Sequence, residues 1–135
     1  MKEYLNRWLW IDLLFYKDEF QEINKLDLVN PLDVETFKAN PSNSLFECIG
    51  IEGDYLIIKS KNCQYRIKKE AIKQIMPSPK YNWDEIVLQL GKPDVKATIS
   101  DFFWHQKDQK YYYTLIVDGK KKSRRYSENE LKSQI

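Results

Sequence analysis

Glycine is scarce in this sequence: Gly50, Gly53, Gly91 and Gly119 are the only four in 135 residues. They stand too far apart to write a glycine-rich phosphate loop of the Rossmann or P-loop kind, which excludes nucleotide binding by such a loop. Histidine is scarcer still, with His105 alone. Asp101 and Asp108 lie near it in sequence, but no nucleophile is marked out beside it, so general-base chemistry lacks its partners. Cys48 and Cys63 have neither CxxC spacing nor enough company for zinc. One disulfide between them is geometrically open, but two buried thiols in a reducing cytoplasm are the expectation. No spacing of Asp and Glu suggests a metal site or an acid–base carboxylate pair. Long apolar runs are missing too. The opening MKEYLNRWLWIDLLFYKDEF is interrupted by Arg7 and Asp12, shows no small-residue cleavage site, and falls far short of the roughly 20 residues that span a bilayer. These absences lead us to expect a cytoplasmic protein that is not an enzyme, with no cofactor, no metal and no membrane contact.

Aromatic residues are abundant: four Trp, nine Tyr and six Phe. With 42% hydrophobic and 31% charged residues, the composition is that of a globular chain whose core is rich in rings. The length suits one ordinary domain or two very small ones. The net charge of +2 conceals an uneven distribution. Residues 1–56 carry 5 Lys/Arg against 11 Asp/Glu, and residues 57–135 carry 17 against 9. Such polarity suggests two faces with different partners, or an acidic half packed against a basic one.

Tyr4, Trp8, Ile11 and Phe15 fall at helical spacing, widened by Leu5 and Leu14, and predict an amphipathic helix over residues 2–16. Phe20 and Ile23 keep the period, extending it toward residue 26. Asn30-Pro31 signals a second, short helix that ends before Asn40-Pro41. From Ser44 the texture becomes that of strand. LFECIGI, YLIIKS and CQYRIK are separated by turns at Glu52-Gly53-Asp54 and Lys61-Asn62, and KKEAIKQI closes the series as a helical turn or a final strand. MPSPKYN reads as a linker. A second β series follows: Glu85–Leu90, a longer strand from Val95 to Trp104, Tyr111–Val117, the Asp118-Gly119 hairpin, Lys121–Tyr126 and the helical turn SENEL. YLIIKSKNCQYRIKKEAIKQI at 55–75 echoes YTLIVDGKKKSRRYSENELKSQI at 113–135. Either two tandem modules or convergent hairpin grammar accounts for the echo.

The expected architecture is therefore α+β. N-terminal helices (1–43) pack on a β-rich body made of a small β module (44–76), a linker (77–82) and a C-terminal barrel (83–135), with two tandem small β modules as a variant. Over Glu85–Ile135, the alternation of Val95, Ala97 and Ile99, then Tyr113, Leu115 and Val117, then Asp118-Gly119 and Glu130-Leu131 resembles SH3-like barrels, a class that includes Tudor-like modules. The run WHQKDQKYYYTLIVDGKKKSRRYSENEL is also similar to small uncharacterised bacterial proteins of that fold. The resemblance implies a fold rather than a function, because such barrels bind peptides, modified side chains, nucleic acids or other subunits. A barrel this small needs a core dense in rings, which Phe102, Phe103, Trp104 and Tyr111–Tyr113 supply.

Lys120, Lys121, Lys122, Arg124 and Arg125, with Lys107 and Lys110 nearby, form the most unusual local feature. Point charges and planar guanidiniums suit phosphate, and Tyr112 and Tyr126 offer stacking faces to unpaired bases. The competing reading is that lysines on a hairpin edge block sheet-to-sheet aggregation. Trp104, Tyr112 and Tyr126 are also candidates for an aromatic cage around a cation or a proline-rich peptide. His105 completes the candidate binding set. The function expected is a non-enzymatic protein-binding or interaction module, an immunity-type or adaptor protein. The alternative is a nucleic-acid-binding protein using the basic C-terminal hairpin.

Overall fold

The computed structural model describes residues 1–12, 17–18, 21–22, 25–40 and 44–134. Strand accounts for 54% of it, in two five-stranded antiparallel sheets, so the protein is mostly β and the α+β expectation is corrected. The residues that carried the predicted first helix instead form a short 3-10 turn at Lys2–Tyr4 and a strand, β1, at Trp8–Ile11. The reason lies in where β1 sits. It is an interior strand, between two neighbours, with Trp8, Leu9 and Ile11 all buried, so it shows a continuous apolar run and no alternation. Periodicity cannot separate such a run from a helix. Leu14, Phe15, Phe20 and Ile23 of the predicted helix lie outside the described residues. The two-residue strands β2 (Lys17–Asp18) and β3 (Gln21–Glu22) fall among them, and a 3-10 turn follows at Lys25–Leu28.

The second predicted helix is present. The Asn30 side chain caps it by accepting the Leu32 N–H at 3.0 Å, Pro31 opens a 3-10 turn, and α1 runs over Val34–Ala39. The remaining strands are β4 (Leu45–Glu52), β5 (Tyr55–Lys59), β6 (Gln64–Ile67), β7 (Ile72–Met76), β8 (Ile86–Gln89), β9 (Lys92–His105), β10 (Lys110–Val117), β11 (Lys120–Ser127) and β12 (Leu131–Ser133). The turns carry their expected signatures. Gly53 sits at φ +61, and Asp118 and Gly119 sit at φ +51 and +76, the paired left-handed geometry of a two-residue hairpin.

The chain divides into two compact units, Met1–Ser78 and Pro79–Ile135. The first holds the sheet β6-β5-β4-β1-β7 and the second the sheet β11-β10-β9-β8-β12. Leaving aside the β2–β3 hairpin, each unit has the strand order fourth, third, second, first, fifth. In each, a 3-10 turn precedes the last strand: Lys69–Ala71 in the first unit and Glu128–Glu130 in the second. Each second strand is long enough to pair with the first strand at one end and the third at the other.

In the first unit Leu9, Phe46, Leu56, Ile58, Tyr65 and Ile67 form the core, joined by Val29 and Phe37 from the segment before β4. In the second unit β10 buries Tyr111, Tyr113, Leu115 and Val117 at every other position, the period-two pattern of a half-buried strand. The Tyr113 hydroxyl accepts the N–H groups of Lys80 and Tyr81 at 3.0 and 3.4 Å, and Tyr81 donates to the Leu131 carbonyl at 3.1 Å. These bonds tie the entering chain across the second core.

Candidate binding face on the second sheet

A bulge sets the face. On β9, Ile99 pairs with Leu115 and Asp101 pairs with Thr114, so Ser100 is the extra residue of the bulge. The extra residue reverses the alternation, so Ile99 and Phe102 both turn into the core while Asp101, Phe103 and His105 turn outward. Phe102 is 5% exposed and Phe103 40%. Simple alternation from Ile99 would place them the other way round. Opposite Phe103 stands Tyr112, opposite His105 stands Lys110, and beyond Thr114 stands Arg125.

Tyr112 is the hub of this face. Its ring lies 6.0 Å from Phe103, 5.3 Å edge-on from His105, 5.2 Å below the Lys110 ammonium and 4.4 Å from the Arg125 guanidinium. Its hydroxyl donates to Asp108 Oδ2 at 2.5 Å. The Asp108 backbone N–H donates to His105 Nδ1 at 3.1 Å, and its carboxylate lies 3.4 Å from that nitrogen. The Tyr112 hydroxyl, followed by the charges of His105, Lys110 and Arg125, holds the Asp108 carboxyl below the usual aspartate value. Asp108 thus fixes Tyr112 through its hydroxyl and lies within electrostatic reach of His105, Lys110 and Arg125.

His105, Tyr112 and Arg125 thus come together, and Lys121 extends the row as the cross-strand partner of Ile116. Lys120, Lys121 and Lys122 are exposed, and among the described residues no carboxylate pairs with them or with Arg125. Trp104 does not join the set. It turns to the other side, packs edge-on against Tyr111 at 5.0 Å and donates to Gln106 at 2.8 Å. Tyr126 is buried opposite Tyr113, with the Arg124 guanidinium 4.1 Å from its ring. Arg124 is itself paired with Glu130, which closes a capping box with Ser127. The three rings of the candidate cage are therefore separated, and the protein's own cations lie over Tyr112. A shallow cleft of about 510 Å³ between the Gly91 turn and Glu130 is lined by Arg124 and Tyr126.

Phe103 and Lys110 belong to the face yet were not in the expected binding set. Only the bulge at Ser100 would have placed Phe103, and a bulge leaves no reliable mark in a single sequence. The charge polarity also changes meaning. Counted by unit, Met1–Ser78 carries 11 basic and 12 acidic residues, and Pro79–Ile135 carries 11 and 8. The second unit is modestly basic and the first nearly neutral, because the basic strands β5 to β7 belong with the acidic N-terminal segment.

Among the described residues no cluster of three His, Cys, Asp or Glu side chains is placed to hold a metal ion, and no helix is long and apolar enough to cross a membrane. Fold and face together define a two-unit antiparallel β protein with a basic, aromatic sheet surface. The chain belongs to a family of unknown function, DUF6960, whose model matches residues 17–132. No curated protein and no solved structure matches it.

Proposed function

We propose that this protein is a non-enzymatic interaction module built from two SH3-like barrels, and that the outer face of the second sheet receives an anionic partner. The strand order shared by both units, with a 3-10 turn before each last strand, supports the barrel reading. The observation that carries the binding reading is the row of cations beside two outward rings: Lys121, Arg125 and Lys110, none within ion-pair distance of a carboxylate among the described residues, flank Phe103 and Tyr112 on one face. A non-enzymatic role is supported by His105, whose Nδ1 is engaged by Asp108 and whose ring packs on Tyr112. Two buried cysteines outside any disulfide, Cys48 and Cys63, support a cytoplasmic address. Burial holds the Cys48 thiol above its ordinary pKa, which makes it a packing residue rather than a reactive one.

Capture from native lysate tests the face, using the wild-type chain, a Lys121→Glu/Arg125→Glu double variant and a Lys38→Glu control on α1. The expected result is a retained macromolecule that the double variant loses and the control keeps. Retention unchanged by the double variant would remove the second sheet from consideration.

A further inference from the structure

We infer that the partner of this face is a single-stranded nucleic acid, its phosphates running along β11 and a base stacking on Phe103. The inference rests on the interaction reading above and gives the partner its chemistry. Protein-binding patches keep charge out of their centre and place it on the rim. Here the centre itself is charged: Lys110 and Arg125 stand over Tyr112, and Lys121 continues the line. Nucleic-acid interfaces have that character, being more polar and more positive than protein interfaces.

The rings argue for an unpaired strand. Phe103 presents an outward, 40% exposed ring on a sheet, beside Tyr112, and the Arg125 guanidinium lies over the Tyr112 ring. Bases stack on such ring and guanidinium planes when they are free of a partner strand. Tyr112 is pinned by Asp108 through its hydroxyl, so Arg125 is oriented before any ligand arrives. Ordering Arg125 in advance reduces the entropy lost on binding. The exposed sequence KKKSRR of β11 provides the phosphate track, with Arg124 tied to Glu130.

Fluorescence anisotropy with a labelled oligothymidylate of about 15 nucleotides, in about 50 mM salt and then across a salt series, is the test. Binding should weaken steeply with salt, and Lys121→Glu and Arg125→Glu should each weaken it and shallow the salt slope by about one. Phe103→Ala should weaken it roughly 5- to 150-fold and leave the salt slope alone. Thermal unfolding of each variant, unchanged from wild type, separates lost contact from lost fold. A poly-glutamate peptide and a duplex of equal length complete the experiment. Absence of oligothymidylate binding, or binding indifferent to Phe103 and Arg125, or equal binding of the duplex, would overturn the inference. Poly-glutamate bound through Lys121 and Arg125 without the oligonucleotide would leave the anionic face standing and sink only the nucleic acid. Binding of neither probe would sink both.

Discussion

The two units use one strand order and treat its edge in opposite ways. In each, the fourth strand stands at the end of the sheet: β6 in the first unit, β11 in the second. An open edge offers unpaired N–H and C=O groups to any passing strand, so proteins cover or charge it. The first unit covers β6 with the segment that precedes β4. Val29 bridges Ile67, Asn30 N–H donates to the Arg66 carbonyl at 2.9 Å, and Lys68 N–H donates to the Leu28 carbonyl at 2.8 Å. Arg66 completes the cover: its backbone N–H, Nε and Nη2 reach Asp33 at 2.9, 2.7 and 3.1 Å, and Nη1 reaches Glu52 at 3.0 Å. The second unit has no such segment between its first and second strands, only the tight turn at Leu90–Gly91. Its edge is instead charged and exposed over residues 120–125, and among the described residues of this unit no second strand pairs with it. A connection thirty-odd residues longer thus converts the same strand from a possible contact surface into a sealed wall.

The comparison can be broken first at the cores, where the expected effects are largest. Tyr65, packed edge-on against Phe37 and Phe46, and Tyr113, packed against Tyr81 and Phe102, are each almost fully buried. Tyr65→Ala should cost the first unit, and Tyr113→Ala the second, about 3–5 kcal/mol each. Denaturant unfolding followed by hydrogen exchange within each unit measures this. Equal loss of protection in both units from either substitution would deny them separate cores.

The edge itself comes next. Arg66→Met takes the guanidinium away from Asp33 and Glu52 and should lower the stability of the first unit, together with the slow exchange of β6 amides. Arg125→Glu, on the matching strand of the second unit, should stay within about 0.5 kcal/mol. Similar costs for the two would mean that the edges are not built differently.

Acid should separate the units further. Hydrogen bonds from Arg66, opposed in part by burial, hold the Asp33 carboxyl below its ordinary value of 3.8. A depressed carboxyl contributes stability that is complete above the unfolded value and disappears as pH falls through the folded one. The first unit should therefore lose stability as the pH drops below about 4, by an amount that Asp33→Asn abolishes. An acid titration of stability in wild type and variant, superimposable over that range, would rule out the Asp33–Arg66 lock. A smaller effect than at the cores is expected at the hairpin tip: Gly119→Ala, at φ +76 with open space around it, should cost about 1 kcal/mol by equilibrium unfolding.

Most strands were legible because their signals are local. Tyr111–Val117 alternates cleanly, Asp118-Gly119 can hardly be anything but a hairpin, and Ser127 and Glu130 stand at capping-box spacing. The 55–75 and 113–135 echo falls on matching elements of the two units, third strand through last. Trp8–Ile11 misled because an interior strand buried on both sides loses its alternation. The Asp33–Arg66 pair is 33 residues apart and could not be seen until the fold joined it. Of the candidate site, the cations and Tyr112 were visible as composition. Their grouping with Phe103 and the turning of Trp104 to the other side depended on the bulge at Ser100, and the burial of Tyr126 depended on the β10–β11 register opposite Tyr113.

Amide hydrogen exchange compared along β6 and β11 tests the central claim most directly. The account predicts slow exchange at Arg66 and Lys68, whose N–H groups donate to Asp33 and Leu28, and fast exchange at the β11 amides turned away from β10. Slow exchange at those β11 amides in the free protein would mean that its edge is already covered, and the second unit would have no open basic strand to offer.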